Sequence, residues 1–191
     1  RDAQESRGLG DVYKRQGLTS RIVLDANIYT MNNRAEAFWM KKGILGDAVP
    51  LELNAKELVH RNNKNSELTV YGYTPMMVSV QCVQKTMDHC NHACVQYVLK
   101  DRYQKEFRGV CSCEFCYNTI YNTLPTSLLK EKEKAEKLGV KAYRLSFTTE
   151  TQQETEKIVR AFVDVYLRGQ KPDGQMQTEE TTKGHFQRGV E

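Results

Sequence analysis

All six cysteines of this 191-residue chain, Cys82, Cys90, Cys94, Cys111, Cys113 and Cys116, lie between positions 82 and 116. No other feature constrains the fold as much, because thiols crowded in this way must be paired, ligated or buried. Three disulfides would suit the even count, but such frameworks belong mostly to small secreted domains. Here 39% hydrophobic and 27% charged residues over 191 positions describe an ordinary globular protein with a real core. Zinc is a fair candidate, since Cys113-x-x-Cys116 is one half of a zinc-ribbon pattern and Cys90 or Cys94 can supply the other. His89 and His92 lie near enough to replace a thiolate, although surface placement is the simpler reading of both. An iron–sulfur cluster needs four thiolates and tolerates loose spacing, because the inorganic core spans the gaps. A redox dithiol is disfavoured, because that motif usually opens a helix after a strand and here other cysteines crowd it. The spacing therefore favours a metal over disulfides and leaves zinc and iron–sulfur both open.

Around this stretch the chain alternates strands and short helices. Arg21 to Asp25 and Ala48 to Leu53 read as strands, the second demoted towards an edge by Pro50, and Leu68 to Tyr73 as a third. Asn33 to Lys42 reads as a helix stopped by Gly43, and Asn54 caps another through Val59. Pro125 opens a helix with Leu128, Leu129, Ala135 and Leu138 on one face and Gly139 as its stop. Ala142 to Phe147 reads as a strand. Thr149 with Gln152 forms a capping-box pattern, opening a helix that carries Ile158, Val159, Phe162, Val163, Tyr166 and Leu167 at helical spacing. The order is βαβαβ, a cysteine-rich insertion, then αβα, which argues for βα units on a parallel sheet.

Residues 1–20 stand apart. Arg1 to Gln16 has no hydrophobic period and resembles translated linker sequence, so residues 1–20 are expected to be a non-native or disordered leader. After Gly169 the chain turns polar, and 169–191 is expected to be an extended tail. The net charge of +4 is too mild to indicate a nucleic-acid partner, and no apolar run approaches the ~18 residues of a membrane span. Serine-hydrolase elbows, HExxH, P-loops and dinucleotide-binding glycine motifs are absent from the sequence.

The run Met77-Val78-Ser79-Val80-Gln81-Cys82, then Cys90, Leu99-Lys100-Asp101-Arg102-Tyr103 and Cys113-x-x-Cys116-Tyr117-Asn118-Thr119-Ile120-Tyr121-Asn122 resembles peptidase family U32, the collagenase-like peptidases. Arg144-Leu145-Ser146-Phe147-Thr148 with Glu150 and the closing Gly184 to Glu191 are similar too, so that the resemblance covers about Arg21 to Glu191. It implies the C-terminal half of a TIM-like (β/α) barrel over 21–168, with a cysteine-rich insertion at 82–118 and a missing N-terminal half of the same protein. It carries Cys82, Cys90, Cys113 and Cys116 as the family's cysteine positions, expected to hold a [4Fe–4S] cluster, and leaves Cys94 and Cys111 as extras.

Two activities follow from the resemblance. One is hydrolysis of peptides, and the other is hydroxylation of RNA or a related small substrate, which accounts for the thiolates. A structural zinc module that binds a partner is the alternative from a different class. Asn27, Glu52, Arg144, Thr148 and Glu150, at expected strand ends, are the candidate pocket residues, with Arg144 suited to an anionic group. For each of these residues the simpler reading is a cap or a surface ion pair, above all for Asn54 and Glu150. No catalytic residue is assigned, and the expected location is the cytoplasm.

Overall fold

Val23 and Leu24 form the first strand, β1 (Val23–Leu24), within the apolar run that precedes Asp25. A computed structural model describes residues 22–87, 90–172 and 180–189. They divide into a first unit of residues 22–69, 131–144 and 185–189 and a second of 70–87, 90–130, 145–172 and 180–184.

In the first unit β1 lies parallel to β2 (Gly46–Ala48), and β2 lies parallel to the start of β3 (Ser66–Gly72). Helix α1 (Asn33–Lys41) connects the first two strands, with the Asn32 carboxamide accepting from the amides of Arg34 and Ala35. Gly43, at φ 83°, turns the chain out of it. Helix α2 (Ala55–Val59) carries the cap expected at Asn54, completed by Glu57 in a reciprocal pair.

The second strand corrects an expectation. It ends at Ala48 instead of running to Leu53, because Pro50 has no N–H with which to continue the ladder. Its middle residue, Asp47, is buried against Arg61, Thr30 and Ser66. Helix α4 (Lys132–Glu136) is also shorter than the one expected from Pro125. Proline there leads into strand β8 (Thr126–Ser127), although Leu128, Leu129, Ala135 and Leu138 are all buried.

The second unit holds most of what was read as an insertion. Strands β4 (Pro75–Ser79), β5 (Gln96–Lys100), β6 (Glu106–Ser112) and β7 (Tyr117–Tyr121) form an antiparallel sheet in the order β4-β7-β6-β5. Helix α3 (Val83–Thr86) follows β4. Strand β8 runs antiparallel to the end of β3, and β9 (Ala142–Ser146) also pairs with β3. Helix α5 (Gln152–Phe162) continues as a π-helical turn over Val163–Leu167. Its capping box is Thr151 with Glu154, two residues beyond the expected pair, because the Thr149 hydroxyl is taken by the Arg108 guanidinium.

The chain is therefore mixed α/β, as expected, but no barrel closes among the described residues. β1, β2 and β3 pair in parallel, but β8 runs antiparallel to β3 and the β4-β7-β6-β5 sheet is antiparallel throughout, whereas a (β/α) barrel needs parallel neighbours throughout. The tail is ordered in part. Thr182 bridges to Thr126 in the second unit, and Phe186 is buried in a short 3₁₀ turn, Gly184–Phe186. The expected leader, His89 and part of the tail lie outside the described residues. No helix among the described residues is long and apolar enough to cross a membrane.

Candidate metal centre

Strand β6 alternates, so Gly109 and Cys111 face one side of the sheet and Arg108 and Val110 the other. Opposite Gly109 on β5 stands Tyr97, and a Cβ on the glycine would lie 2.3 Å from the tyrosine ring. The glycine is thus what lets the ring lie flat beside the thiols. Cys82, Cys111 and Cys113 are buried together with Tyr97 packed on them, and the Cys82 and Cys111 sulfurs are 3.8 Å apart. Asn118, opposite Cys111 on β7, donates its Nδ2 to the Gln81 carbonyl at 2.8 Å, which fixes the chain where Cys82 begins α3.

The Cys-x-x-Cys pattern forms the turn between β6 and β7. Cys113–Phe115 is a single 3₁₀ turn, and the Cys116 amide closes it on the Cys113 carbonyl at 3.3 Å. Cys116 has φ 53° and His92 φ 55°, a left-handed backbone that costs a non-glycine residue about 1–2 kcal/mol. Among the described residues only Tyr29 and Gln104 share it outside glycine, so half of these strained positions sit at this centre.

The Sγ atoms of Cys90 and Cys113 and a ring nitrogen of His92 all lie within 4.8 Å of one another, a group able to hold a metal ion. Cys113 is its buried member; Cys90 and His92 are exposed. The charges of Cys90, Cys116 and Cys82 all act on the Cys113 thiol. Of the four cysteines expected from the family resemblance, Cys90 and Cys113 belong to this group, Cys82 is buried beside Cys113 together with Cys111, and Cys116 is exposed at the end of the turn. Cys82, Cys94, Cys111 and Cys116 all stand outside the Cys90–His92–Cys113 group.

The thiols differ in acidity for physical reasons. Hydrogen bonding from the Lys85 amide at the start of α3 pulls the Cys82 thiol down, against the opposing effect of burial, and Cys111 assists. Burial pushes Cys111 up to about 11, with Cys82 and Cys113 adding to it. Burial and then the charges of Cys90 and Cys116 push Cys113 up. Tyr97 is raised by burial and by Cys111 and Cys82. Thiols this close favour a cation, since a bound metal would stabilise thiolates that otherwise repel one another.

The candidate pocket residues divide between the units. In the first, Asn27 lies in the 3₁₀ turn Ala26–Ile28, and Glu52 has a buried Oε2 without a hydrogen-bond partner. Arg144, on β9, is held by Asp25 at 2.8 Å and by Glu67 at 2.8 Å, so two carboxylates already occupy the guanidinium expected to meet an anion. In the second unit Glu150 folds its Oε2 onto the amides of Thr148 and Thr149 at 2.6 and 2.9 Å. Its Oε1 and the Thr148 hydroxyl are buried without partners. Glu150 therefore acts as a local cap on its own loop, one of the two simpler readings open to it in the sequence. It also lines a cleft with Tyr71, Tyr73, Arg108, Lys157 and Phe162, where the Arg108 guanidinium lies 4.7 Å over the Tyr73 ring.

No family model, curated protein or solved structure matches the chain. His92, weighed in the sequence as a substitute for a thiolate and read more simply as a surface residue, is exposed and within ligand distance of two thiols. Two features of the centre went unread in the sequence. Cys111 is fully buried instead of incidental, and the alternation Gly109, Cys111, Cys113 was the available signal. Asn118 carried no signal beyond its place next to the Cys-x-x-Cys turn.

Proposed function

We propose that this chain is part of a U32-family protein whose thiol centre holds a [4Fe–4S] cluster on Cys82, Cys90, Cys113 and Cys116, serving hydroxylation of RNA or a related small substrate. The observation that carries the reading is Cys113, buried in one cluster with Cys82 and within 4.8 Å of the Cys90 sulfur. An all-sulfur donor set of this size suits iron–sulfur chemistry, and peptide hydrolysis has no need of it. When bound, such a cluster supplies electron transfer. The residues present would tune it: Tyr97 and Cys111 keep the inner side dry, and Asn118 orients the Cys82 segment. On the other face of β6, the cleft lined by Arg108 and Glu150 offers a guanidinium, a carboxylate and aromatic walls to a small polar substrate.

A second reading rests on a specific observation. Cys90, His92 and Cys113 provide the nitrogen and sulfur set of a zinc site, with Cys116 as the fourth ligand. Anaerobic purification followed by iron, sulfide and zinc analysis separates the two. A brown protein absorbing near 400 nm, with about four irons per chain, is the expected result. Colourless protein with one zinc per chain would replace the cluster with the structural-zinc reading. Gelatin hydrolysis that survives Cys→Ser changes at all four positions would favour the peptidase reading.

A further inference from the structure

Cys111 is not needed by either ligand set, yet it is the most enclosed of the six thiols and its sulfur is 3.8 Å from that of Cys82. Two thiols in contact, walled by Tyr97 and Cys113, need their sulfurs to close to only about 2.05 Å to form a disulfide. Cys82 is the N-cap of the four-residue helix α3, outside the strands, so the movement falls on a short segment instead of on the sheet. Cys113 and Cys90, by contrast, are drawn towards His92.

We propose that Cys82 and Cys111 are a redox pair that decides whether Cys82 is available to the metal, an inference that rests on the metal reading above. The oxidant is hydrogen peroxide. The Cys82 thiol attacks the O–O bond, which breaks; Cys82 becomes a sulfenic acid and one water leaves. The Cys111 thiol then attacks the Cys82 sulfur, forming the S–S bond and releasing a second water. In total two thiols lose two electrons and two protons, and the peroxide is reduced to two waters. A dithiol reductant reverses the change by two exchanges. Cys111 thereby protects its neighbour, because a sulfenic acid held against a resolving thiol does not go on to irreversible sulfinic acid.

The test uses the full chain, prepared anaerobically with its metal, treated with hydrogen peroxide, alkylated and mapped by mass spectrometry without reduction. The expected product is a Cys82–Cys111 cross-linked peptide two hydrogens lighter than its parts, formed in step with metal release, with both reversed by dithiothreitol. Cys111→Ser and, as a second variant should serine disturb folding, Cys111→Ala lose the cross-link and carry Cys82 sulfinic acid, with metal loss that dithiothreitol no longer restores. Cys94→Ser keeps the wild-type behaviour. A dominant cross-link between other cysteines, or equal reversibility in the Cys111 variants, overturns the proposal. Protein that holds no metal before oxidation overturns the metal reading instead, and the same mapping on that protein still decides whether the two thiols pair.

Discussion

Arg61 ends among oxygen acceptors in the interior of the first unit. Its Nε donates to the Thr30 carbonyl at 2.8 Å, its Nη1 to Asn63 and Ser66 at 2.9 Å each, and it pairs with Asp47. Both charged groups are buried, so the pair survives only because each lone pair and proton has a partner. Arg61→Ala leaves the Asp47 carboxylate buried and uncompensated and should cost about 3–5 kcal/mol. The check is the urea midpoint at unchanged m-value; a loss below 1 kcal/mol would show that water enters to solvate Asp47. The same residues show where reading a sequence fails. Asp47 interrupts an apolar run and scores as solvent-facing, and its partner lies 14 residues away with nothing local to announce it. Cysteines are different, because their chemistry restricts what they can do wherever they fall. That is why Cys90 and Cys113 were singled out at once, while His92 was named as a possible ligand but set below plain surface placement.

At the scale of elements, β6 shows how backbone geometry serves the centre. Gly109 admits the Tyr97 ring over the thiols, so Gly109→Val must drive that ring away. The expected result is a loss of about 1–3 kcal/mol on thermal unfolding. Faster reaction of Cys111 with a thiol reagent should accompany it, since the wall that encloses this residue is gone. Unchanged thiol reactivity would separate Tyr97 from the centre. Strand β4 makes a second case. It is an edge of its sheet, and Met76, Met77 and Val78 are all more than half exposed. An apolar edge invites strand addition from another chain. Val78→Lys should therefore raise the concentration at which light scattering appears, with metal content unchanged; equal aggregation would place the liability elsewhere. These strands were missed in the sequence for a physical reason. Residues 75–121 are rich in cysteines and polar residues, and the buried side of β6 is carried by Gly109 and Cys111 instead of by large apolar side chains, so its two-residue period gives little signal. The β1, α1 and α2 segments were legible because their caps and stops, Asn32, Gly43, Asn54 and Glu57, act over a few residues.

For the whole molecule, the question is how far the influence of a metal held by this centre would spread. A ligand that binds only the folded state stabilises what must unfold to release it, by about 2.7 kcal/mol at a hundredfold excess over Kd. The groups that would release it here all belong to the second unit: the Cys82 segment, the Cys90–His92 loop and the turn from Cys113 to Cys116. Their backbone bonds depend on few neighbours. Cys116 N–H closes only its own turn, and the left-handed backbone at His92 and Cys116 opposes folding unless ligation holds it. The first unit has its own supports in the Arg61–Asp47 network and the capped helices α1 and α2. Stripping the metal with a chelator should therefore speed amide exchange about a hundredfold in peptides covering 82–87, 90–95 and 111–118. Peptides carrying β2 and α2 should exchange at their original rate. Hydrogen exchange read by mass spectrometry, before and after chelation, tests this directly. Uniform deprotection of both units would mean that the metal governs global stability. No change in either unit would mean that these thiols hold nothing that the fold depends on.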